Sequence, residues 1–128
     1  MKIKRFEDLE IWQEARELCK FISKVTSEGP FSKDFRFRDQ VRASSGSTMD
    51  NIAEGFDRGG NKEFIQFLSI SRGSTAEVRS QSYRAFDEDY INQEELNELL
   101  ERTDSLSRKT YNLMLHLKKS DIKGLKYS

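Results

Sequence analysis

Apolar residues recur along most of this chain at spacings of three and four, the period of a helix that buries one face. Ile11, Ala15, Leu18, Ile22 and Val25 form a first seam, widened by Trp12 and Cys19. Phe6 and Leu9 are placed to pack back over its first turn, and the acids Glu7 and Asp8 suit a helix start there. Gly29 and Pro30 end the segment, because proline lacks an amide donor and glycine frees the turn. A second helix is expected from about Asp34 to Asp57, facing inward through Phe37, Val41, Ser44, Thr48, Ile52 and Gly55 or Phe56. Gly59-Gly60 makes a turn, and Asn61 is expected to N-cap a third helix. That helix carries Phe64, Leu68, Ser71, Thr75, Val78, Ser82 and Ala85 on one face. Asp87 to Ile91 breaks the pattern, and Asn92 with Glu95 resembles a capping box. The fourth helix has the cleanest seam: Leu96, Leu99, Thr103, Leu106, Thr110, Leu113 and Leu117, broadened by Leu100 and Met114. Residues 120–128 are basic and expected to fray, with Ile122, Leu125 and Tyr127 able to dock on a neighbour.

Four helices with short connectors predict an all-α, antiparallel up-down-up-down bundle. The 128 residues suit one domain, with a core from about 6 to 119. The middle of the second helix is unusual. Ser44, Ser45, Gly46 and Ser47 have low helix propensity and little apolar area. Ser71, Gly73 and Ser74 repeat that character in the third helix. Gly55 and Gly73 are therefore expected to let the two helices approach backbone to backbone. Hydroxyls buried between them need partners, at roughly 1–3 kcal/mol each if left unpaired. Asn51, Glu54, Arg58, Arg72 and Glu77 are expected to form a buried or interfacial salt-bridge network, which sets register more than it adds stability. Ile65, Phe67 and Ile70 make the start of the third helix apolar nearly all round, which points to contact with another subunit.

Charge adds a second layer. The 22 basic and 22 acidic residues cancel, so no global field attracts nucleic acid. Their distribution is uneven: eight acids and one base from Asp87 to Asp104, then six bases and one acid from Ser105 to Ser128. Acids at the start and bases at the end of the last helix match its macrodipole. A basic connector, Lys33, Arg36 and Arg38, interleaves with Phe31, Phe35 and Phe37, a pattern that can contact RNA or simply cap the core with phenyl rings. Arg42, Arg79 and Arg84 fall toward the same end in an up-down topology; Lys118 and Lys119, with Lys2, Lys4 and Arg5, fall toward the other.

Several chemistries lack their residues. The only histidine is His116, and position 113 is Leu, so a Glu-x-x-His di-iron site is excluded. Metal-binding Cys/His spacing and a Walker pattern are missing, and no cofactor or metal is expected. Glu54 and Glu77 are the one candidate acid–base pair, with the salt-bridge role preferred. Cys19 is alone, and no apolar run approaches the ~20 residues of a membrane span, so a cytoplasmic protein with no membrane role is expected.

Three stretches carry a family resemblance: Phe6 to Gln13; Gln40 to Ala43 followed by Asn51 to Arg58; and Glu63 to Ser74 followed by Glu77. In order and spacing they resemble the bacterial four-helix bundle family, also called 23S rRNA-intervening-sequence proteins, over residues about 6 to 117. The resemblance implies an antiparallel bundle that assembles as a ring-like homopentamer. It also implies that some relatives are encoded within insertions in large-subunit rRNA genes. A related accessory protein of diversity-generating retroelements shares the fold and binds nucleic acid and a reverse transcriptase. The family often has Ser-Ile-Pro where this chain has Ser47-Thr48-Met49, so the second helix is expected to run unkinked.

The expectation is a non-enzymatic homo-oligomer that binds RNA or a ribonucleoprotein. The nucleic-acid contacts would be Lys33, Arg36, Arg38, Arg42, Arg79 and Arg84. The structural motif is Asn51, Glu54, Gly55, Arg58, Arg72, Gly73, Ser74 and Glu77. The alternative is a protein–protein interaction scaffold with no nucleic-acid role.

Overall fold

The computed structural model describes residues 3–120. Lys2 and the expected docking residues Ile122, Leu125 and Tyr127 lie outside them. Four α-helices account for most of the chain: α1 Glu10–Thr26, α2 Phe35–Asp57, α3 Asn61–Asp87 and α4 Gln93–Lys119. Short 3-10 turns occupy Phe6–Asp8 and Gly29–Lys33, and no strand occurs among the described residues. α1 packs on α2 and α4, and α3 packs on the same two helices from the other side.

The inward seams match the hydrophobic period. All five α1 seam residues, the whole α2 seam and the whole α3 seam are buried. In α4 only Leu113 is half-buried. Helix ends differ from expectation in two places. α1 starts at Glu10, because Asp8 is used in the preceding turn, where its carboxylate accepts from the Lys4 and Arg5 amides at 3.2 Å. Asn61 is the first residue of α3, and Gly60 takes the N-cap; the Asn61 amide instead donates across to the Leu117 carbonyl of α4 at 3.3 Å. The expected capping box of Asn92 and Glu95 is present. α2 runs unbroken through Met49, as the missing proline implies.

The α2–α3 interface is built from small polar groups. Ser71 Oγ donates to the Thr48 carbonyl at 2.7 Å, Ser47 and Ser74 hydroxyls meet at 2.8 Å, and Gln81 donates to Ser44 Oγ at 3.1 Å. Other buried hydroxyls bond their own helix: Ser45 to Arg42, Thr75 to Ser71, Ser82 to Val78. The expected cost of unpaired hydroxyls is thereby avoided. The amide oxygen Oε1 of Gln81, by contrast, is buried without a partner. Gly55 closes one end of the seam, where a Cβ would stand 2.5 Å from Phe67 Cβ. Gly73 is the correction to the sequence reading. It lies on the exposed face of α3, and a Cβ there meets nothing within 4 Å.

Two glycine substitutions separate these cases. Gly55→Ala drives a carbon into Phe67 and should destabilise by about 1–3 kcal/mol. Gly46→Ala, where a Cβ meets nothing within 4 Å, should stabilise by about 0.5–1 kcal/mol through backbone entropy alone. Urea unfolding of both variants reads the difference; equal effects would contradict the packing described.

Candidate functional site

The residues singled out in the sequence fall into four places. The first is the α2–α3 seam. There Asn51 Nδ2 donates to the Ser47 carbonyl at 2.8 Å and its hydroxyl at 3.0 Å, beside Ser74 and Gly55. The second is the exposed end of α2. Glu54 and Arg58 pair at 2.6 Å, one turn apart, and Arg58 lies 5.1 Å from the Phe67 ring centroid. The third is the α3–α4 side. Arg72 Nε donates to the Ser107 carbonyl and hydroxyl at 3.2 and 3.1 Å, with its guanidinium 4.7 Å from the Tyr111 centroid. Glu77 is exposed on α3. The expected single network of Asn51, Glu54, Arg58, Arg72 and Glu77 is thus divided, because α3 turns Arg72 toward α4 and away from α2.

The fourth place is the helix end where α2 begins. Asp34 N-caps α2 with one carboxylate oxygen, accepting from the Phe37 amide at 3.3 Å. Its other oxygen accepts from the Tyr90 hydroxyl at 2.7 Å. Tyr90 stacks on Phe31 at 5.0 Å, and Phe31 stacks on Phe37 at 5.4 Å. Arg84 sits 4.4 Å from the Phe37 centroid. Phe31 and Phe37 are therefore core caps. Phe35 is different: it is 63% exposed, with Arg38 5.0 Å from its centroid.

The basic residues around this end are unequally available. Lys33 and Arg36 are exposed. Arg38 pairs with Asp39 at 2.9 Å and donates to the Ser32 carbonyl. Arg42 donates to the Thr26 and Ser27 hydroxyls, bracing α2 against the end of α1. Arg79 stands apart, bonded to the Leu100 carbonyl of α4 at 2.8 Å. Acids share the end: Asp34, Asp87 and Glu88 line a cleft of about 270 Å³ with Phe37 and Arg84.

Acid–base groups show no paired arrangement at these positions. Glu54 and Glu77 are both exposed on different helices, with Glu54 held by Arg58. His116 is exposed near the end of α4. Burial pushes the Cys19 thiol upward against its bond to the Ser45 carbonyl, with Asp50 adding to the rise.

What sequence reasoning missed are the partners. Phe35 lies two residues off the Phe37–Val41–Ser44 seam, a displacement that places it on the outer face. Tyr90 and Asp34 are 56 residues apart, and no local pattern announces their bond.

The arrangement defines a class: a four-helix, all-α protein with a hydroxyl-filled seam and a mixed-charge helix end. The family model for 23S rRNA-intervening sequence protein matches residues 7–112. The chain belongs to that family. Its fold is similar to a crystal structure of a protein with unknown function from the S23 ribosomal protein family of Bacteroides thetaiotaomicron. That likeness has a TM-score of 0.74 at 18% identity, covering 81% of this chain and 97% of the other. Comparison with curated proteins gives no match. No helix among the described residues is long and apolar enough to cross a membrane.

Alkaline stability tests the tertiary clasps. The Tyr90 hydroxyl is raised above its usual 10.0, chiefly by its bond to Asp34. Lys109 is raised above 10.5 by its bonds to Glu10 and then Glu14, which tie α4 to α1. A raised folded pKa means the contribution is complete below the unfolded value and is lost as pH climbs through the folded one. The urea midpoint should therefore hold up to about pH 10 and fall above it. Tyr90→Phe should lower the neutral midpoint and flatten that fall; an unchanged alkaline profile would remove the clasp from the account.

Proposed function

We propose that the chain is a non-enzymatic, cytoplasmic module that binds RNA or a ribonucleoprotein and assembles with copies of itself. In this reading its helices form one antiparallel up-down-up-down domain. The contacts support that topology, since they run in opposite chain order on paired helices. Thr48 meets Ser71 while Ser44 meets Gln81, and Arg72 meets Ser107 while Arg79 meets Leu100. Self-assembly is supported by Ile70, 53% exposed on α3, and by the pentameric ring that the family resemblance implies.

The observation that carries the RNA reading is the exposed Phe35 with Arg38 against its ring, flanked by exposed Lys33 and Arg36. A phenyl face beside guanidinium and ammonium groups offers stacking to a base and charge to its phosphates. The core does not need this ring, because Phe31 and Phe37 already close that end. Family membership adds a link to ribosomal RNA through the family's own description.

Titration of structured RNA at several salt concentrations tests this. Phe35→Ala should cost about 1–3 kcal/mol of affinity, the usual worth of one stacked base. Arg36→Ala should lower the salt slope by about 0.7–0.9, one phosphate contact. A protein that binds RNA equally well without Phe35 and Arg36, or only at low salt, would refute the assignment. A stoichiometric protein partner that survives nuclease treatment, with no RNA affinity, would favour the scaffold instead.

A further inference from the structure

We propose that the groove between α3 and α4 is a track for single-stranded RNA, in which Arg72 and Arg79 take phosphates and Tyr83 and Tyr111 stack bases. This rests on the RNA-binding reading and adds where the strand runs.

Two arginine rungs bridge the helices. Arg79 donates from one terminal nitrogen to the Leu100 carbonyl at 2.8 Å and the Thr103 hydroxyl at 3.2 Å. Arg72 donates from Nε to the Ser107 carbonyl and hydroxyl. The rungs are seven residues apart on α3, about 10 Å along its axis. Each anchor engages one nitrogen of a planar group with five N–H donors. The fork is thereby oriented while donors on its other edges remain for an oxyanion.

Between the rungs lies a cleft of about 220 Å³, lined by Thr75, Ala76, Arg79, Thr103, Asp104 and Ser107. Asp104 is the one carboxylate in that lining, and Arg108 stands 3.3 Å from it. The charges of Arg72 and Arg79 therefore set the sign of the groove. The hydroxyl oxygens of the lining can accept from a ribose 2′-OH.

The α3 rim is open. Ala76 and Gly73 are exposed, and Gly73 has no packing reason to be glycine. A helix-interior glycine without a packing role permits close backbone approach by a ligand. Aromatic rings extend the line at both ends. Tyr83, 47% exposed, is one turn beyond Arg79 on the same face. Tyr111, 43% exposed, lies under the Arg72 guanidinium. The order is ring, cation, cation, ring, which suits sequence-tolerant stacking along a strand. Arg84, the residue after Tyr83, lies 4.4 Å from the Phe37 centroid at the helix end where α2 begins.

The test uses the full chain and a thiouridine-containing single-stranded RNA of about 16 nucleotides, the upper range of such sites. Ala76 is exposed, so Ala76→Glu places a carboxylate in the cleft one turn from both Arg72 and Arg79, where it competes with phosphate for their guanidinium groups. It should weaken binding about tenfold or more by opposing the phosphates, with an unchanged thermal midpoint. Tyr83→Ala and Tyr111→Ala should each weaken binding, and photocrosslinks should map to the peptides holding Tyr83 and Tyr111. RNA binding that ignores Ala76→Glu, with crosslinks confined to the Phe35 end, would overturn the track and leave the RNA reading intact. No binding by the wild-type chain would overturn both. Loss of a protein partner in Ala76→Glu, with RNA affinity unchanged, would assign the groove to protein docking and overturn the track.

Discussion

The structure depends on how closely α2 and α3 approach. A seam of leucines would hold two helices apart by the width of their side chains. Here Ser71 reaches a main-chain carbonyl of the facing helix, and Gly55 lies against the Cβ of Phe67. Such contacts require short side chains on both helices at the same level. They exchange apolar area for hydrogen bonds and dispersion at short range. The apolar burial is shared by all four helices. Leu18, Ile22, Leu99 and Leu106 fill the core from α1 and α4, and Ile52, Leu68 and Val78 complete it from the small-residue helices. α2 and α3 also bury the rings of Phe37, Phe56 and Phe64, so their small residues add registration to bulk that all four helices supply.

The fold was largely legible because burial writes its period into the sequence. Phe37, Val41, Ser44, Thr48 and Ile52 are spaced for one face whether their side chains are apolar or hydroxylic, and all are buried. The Asn92–Glu95 cap was legible because it is local. Asn61 was misplaced by one residue since Gly60 has no side chain with which to advertise a cap. Gly73 was misread because composition does not say which face of a helix a small residue occupies. The site was legible only as a set of charges. Arg72 and Arg79 announce cations, but their anchors on α4 lie 35 and 21 residues away, and distance along the chain hides such pairings.

Zero net charge conceals a sorted surface. Arg58, Arg102 and Arg108 are each matched by an acid one turn away on their own helix, and Lys109 by acids on α1. Those pairs contribute little to stability where they are exposed, and they neutralise fields locally. Arg36 and Lys33 stand outside these pairs on an exposed end, and Arg72 and Arg79 are tied to carbonyls and hydroxyls, which leave their charge uncancelled. Among the described residues, pairing neutralises Lys20, Arg38, Arg58, Arg102, Arg108 and Lys109 locally, and Arg36, Arg72 and Arg79 keep their charge without a global attraction.

Asp34 has a consequence for how the molecule opens. One of its oxygens begins α2 and the other holds Tyr90 in the turn before α4. Releasing either bond leaves the carboxylate free to abandon the other. The start of α2, the turn that holds Asp89 at a positive φ of 61°, and the stacked rings between them should therefore come apart as one cooperative unit. One carboxylate thus couples two stretches of chain that lie 56 residues apart in sequence.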